Sequence, residues 1–140
     1  MSRSYEKAPT RYAFPGTDLG GSNATLHIKG PLGKAGRLYD YGVEGLTEAC
    51  AGSSTTPTIA IGTVADPDHY GNEFDVGALA IASGTKSIRT TYLPTDTEFE
   101  GTYMLIRDLP ADTVVMVSIT AATGTPTGTG VVFVDIVWDD

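Results

Sequence analysis

The sequence is poor in the residues that form long helices, in charged residues, and in the long apolar runs that span membranes. Glutamate, lysine, glutamine and leucine are scarce, and charged residues make up only 19% of the 140 residues, which disfavours long helices. The purely apolar runs, such as residues 114–117 and 131–134, are far shorter than the ~20 residues that cross a bilayer. We therefore expect no membrane partner. The first residues also lack the apolar stretch of a secretory signal, so we expect synthesis in the cytoplasm.

Residues that carry catalysis or bind metals are equally few. The single cysteine, Cys50, cannot form an internal disulfide and is predicted to be a small packing residue. The two histidines, His27 and His69, are predicted on a strand and in a loop, too few and too scattered for a shared metal site. Residues 66–71 begin like a calcium loop, but Gly77 stands at the twelfth position where a glutamate should close it, so a plain turn is predicted. We predict no catalytic residue, no metal, no cofactor and no enzymatic activity.

What the sequence does contain is typical of short strands joined by tight turns. Threonine is the commonest residue, and 17 glycines and 8 prolines accompany it. The length suits one domain. From residue 24 onward, short stretches of period two alternate with turn residues. They predict an all-β, jelly-roll β-sandwich of about eight antiparallel strands over residues 24–140, with strands at residues 24–29, 37–44, 58–65, 74–82, 86–93, 102–108, 113–121 and 131–138.

Two kinds of strand can be distinguished. In the first strand Ala24, Leu26 and Ile28 alternate with polar residues, which predicts that it is half exposed. The last two strands are apolar on both faces, which predicts cover from the second sheet on one face and from an arm, a loop or another subunit on the other. Residues 30–36 are interpreted as a hairpin connection, and residues 120–130 as a flexible loop.

Residues 1–23 contain prolines and glycines but no sustained periodicity, which predicts an extended N-terminal arm; a disordered tail is the alternative. Net charge is −8, divided into +4 over residues 1–37 and −12 over residues 38–140. This division indicates a basic arm that contacts an acidic protein partner, and the acidic body makes nucleic acid a poor partner. Aromatic and arginine residues often anchor interfaces. The predicted partner-binding residues are those of the arm, namely Arg3, Tyr5, Lys7, Arg11, Tyr12 and Phe14.

Two segments carry a resemblance to a known family. The stretch LHIKGPLGKAGRLYDYGVEG and the closing stretch VVMVSITAATGTPTGTGVVFVDIVWDD resemble the small cement, or decoration, proteins of tailed bacteriophages. The resemblance implies a jelly roll, a homodimer, and a place on the outer capsid surface of the virion in contact with several copies of the major capsid protein. The arm residues would then be the capsid-binding residues, and the expected function is to stabilise the shell.

An alternative from a different class stays open. A receptor- or carbohydrate-binding jelly-roll module of a phage tail or fibre would use exposed aromatic rings to stack on sugars. The candidates for such a platform are Tyr39, Tyr41 and Tyr92.

Overall fold

The computed structural model describes residues 8–93, 95–97, 99–103 and 108–139. Over these residues the chain is all-β, with antiparallel strands in two sheets. The β9 sheet has the order β1-β9-β3-β6, and β7 also pairs with β3; the β8 sheet has the order β2-β8-β4-β5. The strands are β1 Thr10–Asp18, β2 Ala24–Lys29, β3 Gly36–Ala51, β4 Thr58–Gly62, β5 Gly71–Asp75, β6 Lys86–Ser87, β7 Asp108–Leu109, β8 Val114–Thr120 and β9 Thr127–Trp138.

The two sheets share one hydrophobic core. Val117 and Ile59 of the β8 sheet and Val134 of the β9 sheet are fully buried within it. Tyr41 of β3 meets Phe74 of β5 edge-to-face, with ring centroids 6.3 Å apart. This geometry is favourable for aromatic pairs. The packing makes the molecule a β-sandwich, and the predicted all-β class is confirmed.

Alternation predicted three strands well. β2 is half exposed as expected, with Ile28 buried and Thr25 exposed. Residues 113–121 and 131–138 contain β8 and most of β9. β9 is buried on two faces over its second half, whereas the outer face of β8 is buried only at Met116; the outward-facing Phe133 and Met116 are covered within the chain. The guanidinium of Arg11 lies over the Phe133 ring, and the β4–β5 loop folds against Gly62, which is paired with Met116.

The prediction that residues 1–23 lack a packed element is wrong from Thr10 onward. Residues Thr10–Asp18 form β1, which pairs with β9 in the β9 sheet, and Leu19 is fully buried in the core. The proline and glycine at positions 15 and 16 lie where the register shifts, between Phe14 and Thr17. Edge strands tolerate such an irregularity because only one side of the strand must pair.

The predicted hairpin connection over residues 30–36 is also wrong. Residues 30–36 join β2 in the β8 sheet to β3 in the β9 sheet, and the last two strands likewise belong to different sheets. The flexible loop is shorter than predicted because β9 begins at Thr127. Gly130 lies in this early part of β9, where a Cβ would be 2.6 Å from Leu46 Cδ2. The glycine allows the strand to pack closely on its neighbour.

Three other predicted strands differ from the structure where it describes them. Only the first two residues of 74–82 belong to β5, and a 3-10 turn follows at Ile81–Ser83. Residues 86–93 form the two-residue β6 and then a short helix, α1 (Ile88–Thr91), because Ser87 and Thr90 make a reciprocal capping box. A π-helical turn, Phe99–Tyr103, replaces the start of the strand predicted over residues 102–108, and β7 holds its last residue. The strands predicted over residues 37–44 and 58–65 are present as β3 and β4, with different first or last residues.

Candidate functional site

Half of the predicted arm residues can be located. Arg3, Tyr5 and Lys7 lie outside the described residues. Arg11, Tyr12 and Phe14 lie on β1, at the edge of the β9 sheet.

Arg11 is occupied by contacts within the chain. Its Nε and Nη2 donate to the two carboxylate oxygens of Asp135, at 2.8 and 2.9 Å, and its Nη1 donates to Glu44 at 3.0 Å. The guanidinium also stacks on Phe133, 3.9 Å from the ring centroid. The hydrogen bond to Asp135 is the largest cause that raises the pKa of Arg11. This arginine therefore joins β1 to its own sheet.

The two aromatic residues of β1 also serve the fold. The Tyr12 hydroxyl accepts a hydrogen bond from Trp138 Nε1 at 2.9 Å, and the rings meet edge-to-face with centroids 6.5 Å apart. Phe14 is half buried against the core. Sequence reasoning treated these side chains as having no internal role, and that premise is wrong.

Two neighbouring carboxylates are buried on the outer side of the β9 sheet. Asp40 is paired across the strands with Asp135. The Asp40 carboxylate accepts hydrogen bonds from the Ser87 hydroxyl at 2.8 Å and from the backbone N–H groups of Tyr41 and Arg89 at 2.9 and 3.1 Å. Burial is the main cause that raises the pKa of Asp40. Both carboxylates accept hydrogen bonds from donors within the chain, so we assign the pair a structural role.

The tyrosines of the sugar-binding alternative do not form an exposed platform. Tyr41 is fully buried, and its hydroxyl lies 2.7 Å from the Asn72 carbonyl oxygen and 2.9 Å from that of Tyr103. Tyr39 is covered by the Arg89 guanidinium, 3.7 Å from the ring centroid. Tyr92 stacks on Tyr103 at 5.0 Å. The expected exposure is wrong for Tyr41, and Tyr39 and Tyr92 are half buried.

Within the part of the chain that the structure describes, no three His, Cys, Asp or Glu side chains come together as a metal-binding group. His27 is exposed on β2, whereas His69 lies 3.2 Å from Asp66 in a turn closed by the His69 N–H and the Asp66 carbonyl. Cys50 is buried as predicted, and burial raises the pKa of its thiol. The same described ranges contain no helix long and apolar enough to span a membrane.

A groove of about 600 Å³ lies on the outer side of the β8 sheet. Hydroxyls of Thr25 and Ser118 are on its lining, as are the carboxylates of Asp68 and Glu73. No aromatic ring is among its described lining residues. The groove offers hydrogen-bonding groups without the flat apolar surface on which sugar rings stack.

Large exposed apolar side chains collect at one end of the sandwich. Leu32 is 87% exposed, Val64 78% and Val114 44%. Val114 begins β8 and is paired with Lys29, the last residue of β2, and Leu32 follows in the β2–β3 loop. β4 ends at Gly62 beside the start of β8, and Val64 follows two residues later. We call Leu32, Val64 and Val114 the apolar end.

Sequence reasoning missed this surface. Leu32 stands between Pro31 and Gly33, and the Lys34 N–H donates to the Pro31 carbonyl at 3.1 Å, which closes a tight turn. A large apolar residue at the tip of a turn has no place in the core, and that pattern was the available signal.

Comparisons with protein-family models, curated proteins and solved structures gave no significant match to the chain.

Proposed function

We propose that the chain is a structural virion protein that binds the outer surface of a phage capsid and cements neighbouring major capsid proteins. The observation that carries the proposal is the apolar end: of the five large apolar side chains that are exposed in the described part of the chain, three lie at one end of the sandwich. Clustered exposed apolar residues are typical of protein-binding surfaces. The resemblance to cement proteins in the β2–β3 and β8–β9 segments supplies the class of partner.

Cementing suits a rigid sandwich. A clip that touches two neighbouring subunits makes its second contact intramolecularly, at a high effective concentration. Because it binds the assembled shell better than free subunits, it raises the apparent stability of the shell by mass action. We propose a jelly-roll connection of the strands, synthesis in the bacterial host, and attachment to the virion exterior.

We keep the homodimer as part of the proposal, on narrower grounds. The outward-facing Met116 of β8 and Phe133 of β9 are covered within one chain, so they do not call for a second copy, and on that face of β8 the apolar Val114 is exposed. Among the described residues, however, β2 pairs only with β8 and presents an open edge without a carboxylate. Open edges can be covered by another copy.

The receptor- or carbohydrate-binding alternative has weaker support. Of its three candidate tyrosines, Tyr41 is buried and Tyr39 and Tyr92 are half buried against other side chains, and the groove has no aromatic lining among the described residues.

Shells that lack the chain provide the test. Recombinant protein is added to purified shells, and disruption is followed by light scattering during heating. We expect bound protein to raise the disruption temperature and to co-sediment with shells, while free major capsid protein binds it more weakly. If the protein does not co-sediment with the shells of its own phage, the proposal fails.

A further inference from the structure

Leu32 lies at the tip of a loop whose backbone packs on a tryptophan side chain. The loop, residues 30–36, crosses from the β8 sheet to the β9 sheet over the indole of Trp138. A Cβ at Gly30 would lie 2.2 Å from the indole, and one at Gly36 would lie 2.6 Å from it. Glycine at both positions lets the backbone rest directly on the ring.

Hydrogen bonds hold the loop from the sides. The Gly33 N–H donates to the Asp112 carboxylate at 2.8 Å, which joins the loop to the segment before β8. The Asp139 N–H donates to the Ala35 carbonyl at 2.8 Å. Pro31 restricts the backbone at the turn. A side chain presented on such a loop loses little conformational freedom on binding.

The loop that carries Leu32 is basic in its own sequence, although the chain as a whole is acidic; Asp108 lies opposite Arg37 on β7, and Asp139 lies beside Ala35. Residues 29–37 contain Lys29, Lys34 and Arg37 and no acidic residue, against a net charge of −8 for the chain. Lys29 and Arg37 are exposed and Lys34 is half exposed. The nearby Asp112 is engaged by the Gly33 N–H. A partner that complements this surface has carboxylates around an apolar centre.

We infer that Leu32 is an anchor residue that enters an apolar pocket on a protein partner, and that acidic side chains at the pocket rim pair with Lys29 and Lys34. The inference rests on the proposed function and assigns the pocket to the capsid shell. An anchored contact of this kind differs from one made by scattered surface residues, because a single leucine contributes a large share of the binding free energy.

The test compares Leu32→Ser with Leu93→Ser in binding to purified shells. Leu93 is 66% exposed at the end of α1 and serves as the matched control. We expect Leu32→Ser to weaken binding by about tenfold or more, as truncation of an anchor does, and Leu93→Ser to leave binding unchanged. Leu32→Met, which conserves volume, should retain most of the affinity. Circular dichroism should show both serine variants folded, since both leucines are exposed.

A charge-reversal variant tests the rim. Lys29→Glu combined with Lys34→Glu should weaken binding and reduce its dependence on salt. If wild-type protein binds shells and Leu32→Ser binds equally well, the inference is wrong and the proposed function stands. If wild-type protein does not bind at all, both fall. If Leu32→Ser changes only self-association measured by light scattering, the pocket belongs to a second copy and the inference is overturned.

Discussion

Trp138 donates a hydrogen bond from its indole Nε1 to the hydroxyl of Tyr12, at 2.9 Å. The bond joins the end of the last strand to the first described strand, across 126 residues of sequence. The same indole supports Gly30 and Gly36 of the β2–β3 loop. Trp138 therefore connects β1 to the loop that presents Leu32.

Replacing Tyr12 with phenylalanine removes the hydrogen-bond acceptor and keeps the ring. We expect the free energy of unfolding to fall by about 1 kcal/mol, measured by chemical denaturation. Tyr12→Ala should cost more, because the edge-to-face contact with Trp138 is lost as well. Equal stability of Tyr12→Phe and the wild type would show that the bond contributes nothing.

Gly30→Ala tests the contact between the loop and the indole. The new Cβ would meet the Trp138 ring at 2.2 Å, so the ring or the loop must move, at about 1–3 kcal/mol. Because Trp138 is the only tryptophan, a shift of its fluorescence emission should report that movement directly.

Gly33→Ala is the control for this variant. Gly33 has φ of +74° with open space around its Cβ position, so alanine there should cost about 1–2 kcal/mol of backbone strain. Its tryptophan emission should match the wild type. A Gly30→Ala protein with unchanged emission would contradict the proposed loop support.

Arg11→Met should destabilise the fold, because it leaves the buried Asp135 carboxylate without its two donors. We expect a loss of about 2 kcal/mol in denaturant titrations. Part of this loss should be recovered when Asp135→Asn is added, since the uncompensated charge is then removed. Arg37→Met, at an exposed position of β3, should change stability little. An Arg11→Met protein as stable as Arg37→Met would contradict the assigned role.

Asp40 makes stability depend on pH with a defined sign. Burial raises its pKa in the folded protein above the ordinary value near 3.8. Its contribution is therefore fully present below about pH 4 and is lost as the pH rises through the folded-state pKa. Asp40→Asn cannot ionise, so its stability relative to the wild type should increase as the pH rises from about 4. Denaturation at a series of pH values measures this difference, with the exposed Asp108→Asn as control. A difference that falls with rising pH would contradict the account.

Sequence patterns predicted the β class and strands β2, β8 and β9, because alternation and β-branched runs reflect local burial. β1 was missed because a proline and a glycine resemble a linker, although an edge strand accommodates them at a bulge. α1 was missed because its capping box overrides a β-rich composition. These failures arise where local chemistry and tertiary pairing compete.

The candidate site was harder to predict than the fold. Arg11 looked free because its partners Asp135 and Glu44 lie 124 and 33 residues away in the sequence. Whether a side chain is exposed depends on such distant contacts, which composition and periodicity do not encode. The apolar end likewise exists only because β2, β4 and β8 place three separate segments at one end of a sheet.

The central claim is that the chain cements a capsid, and its copy number on purified virions tests this most directly. Quantitative gel or mass-spectrometric analysis gives the ratio of the chain to the major capsid protein in each particle. A cement protein that bridges neighbouring subunits must be present at a copy number comparable with that of the shell protein. A few copies per particle, as expected for a tail or fibre module, or its absence from the virion would contradict the account.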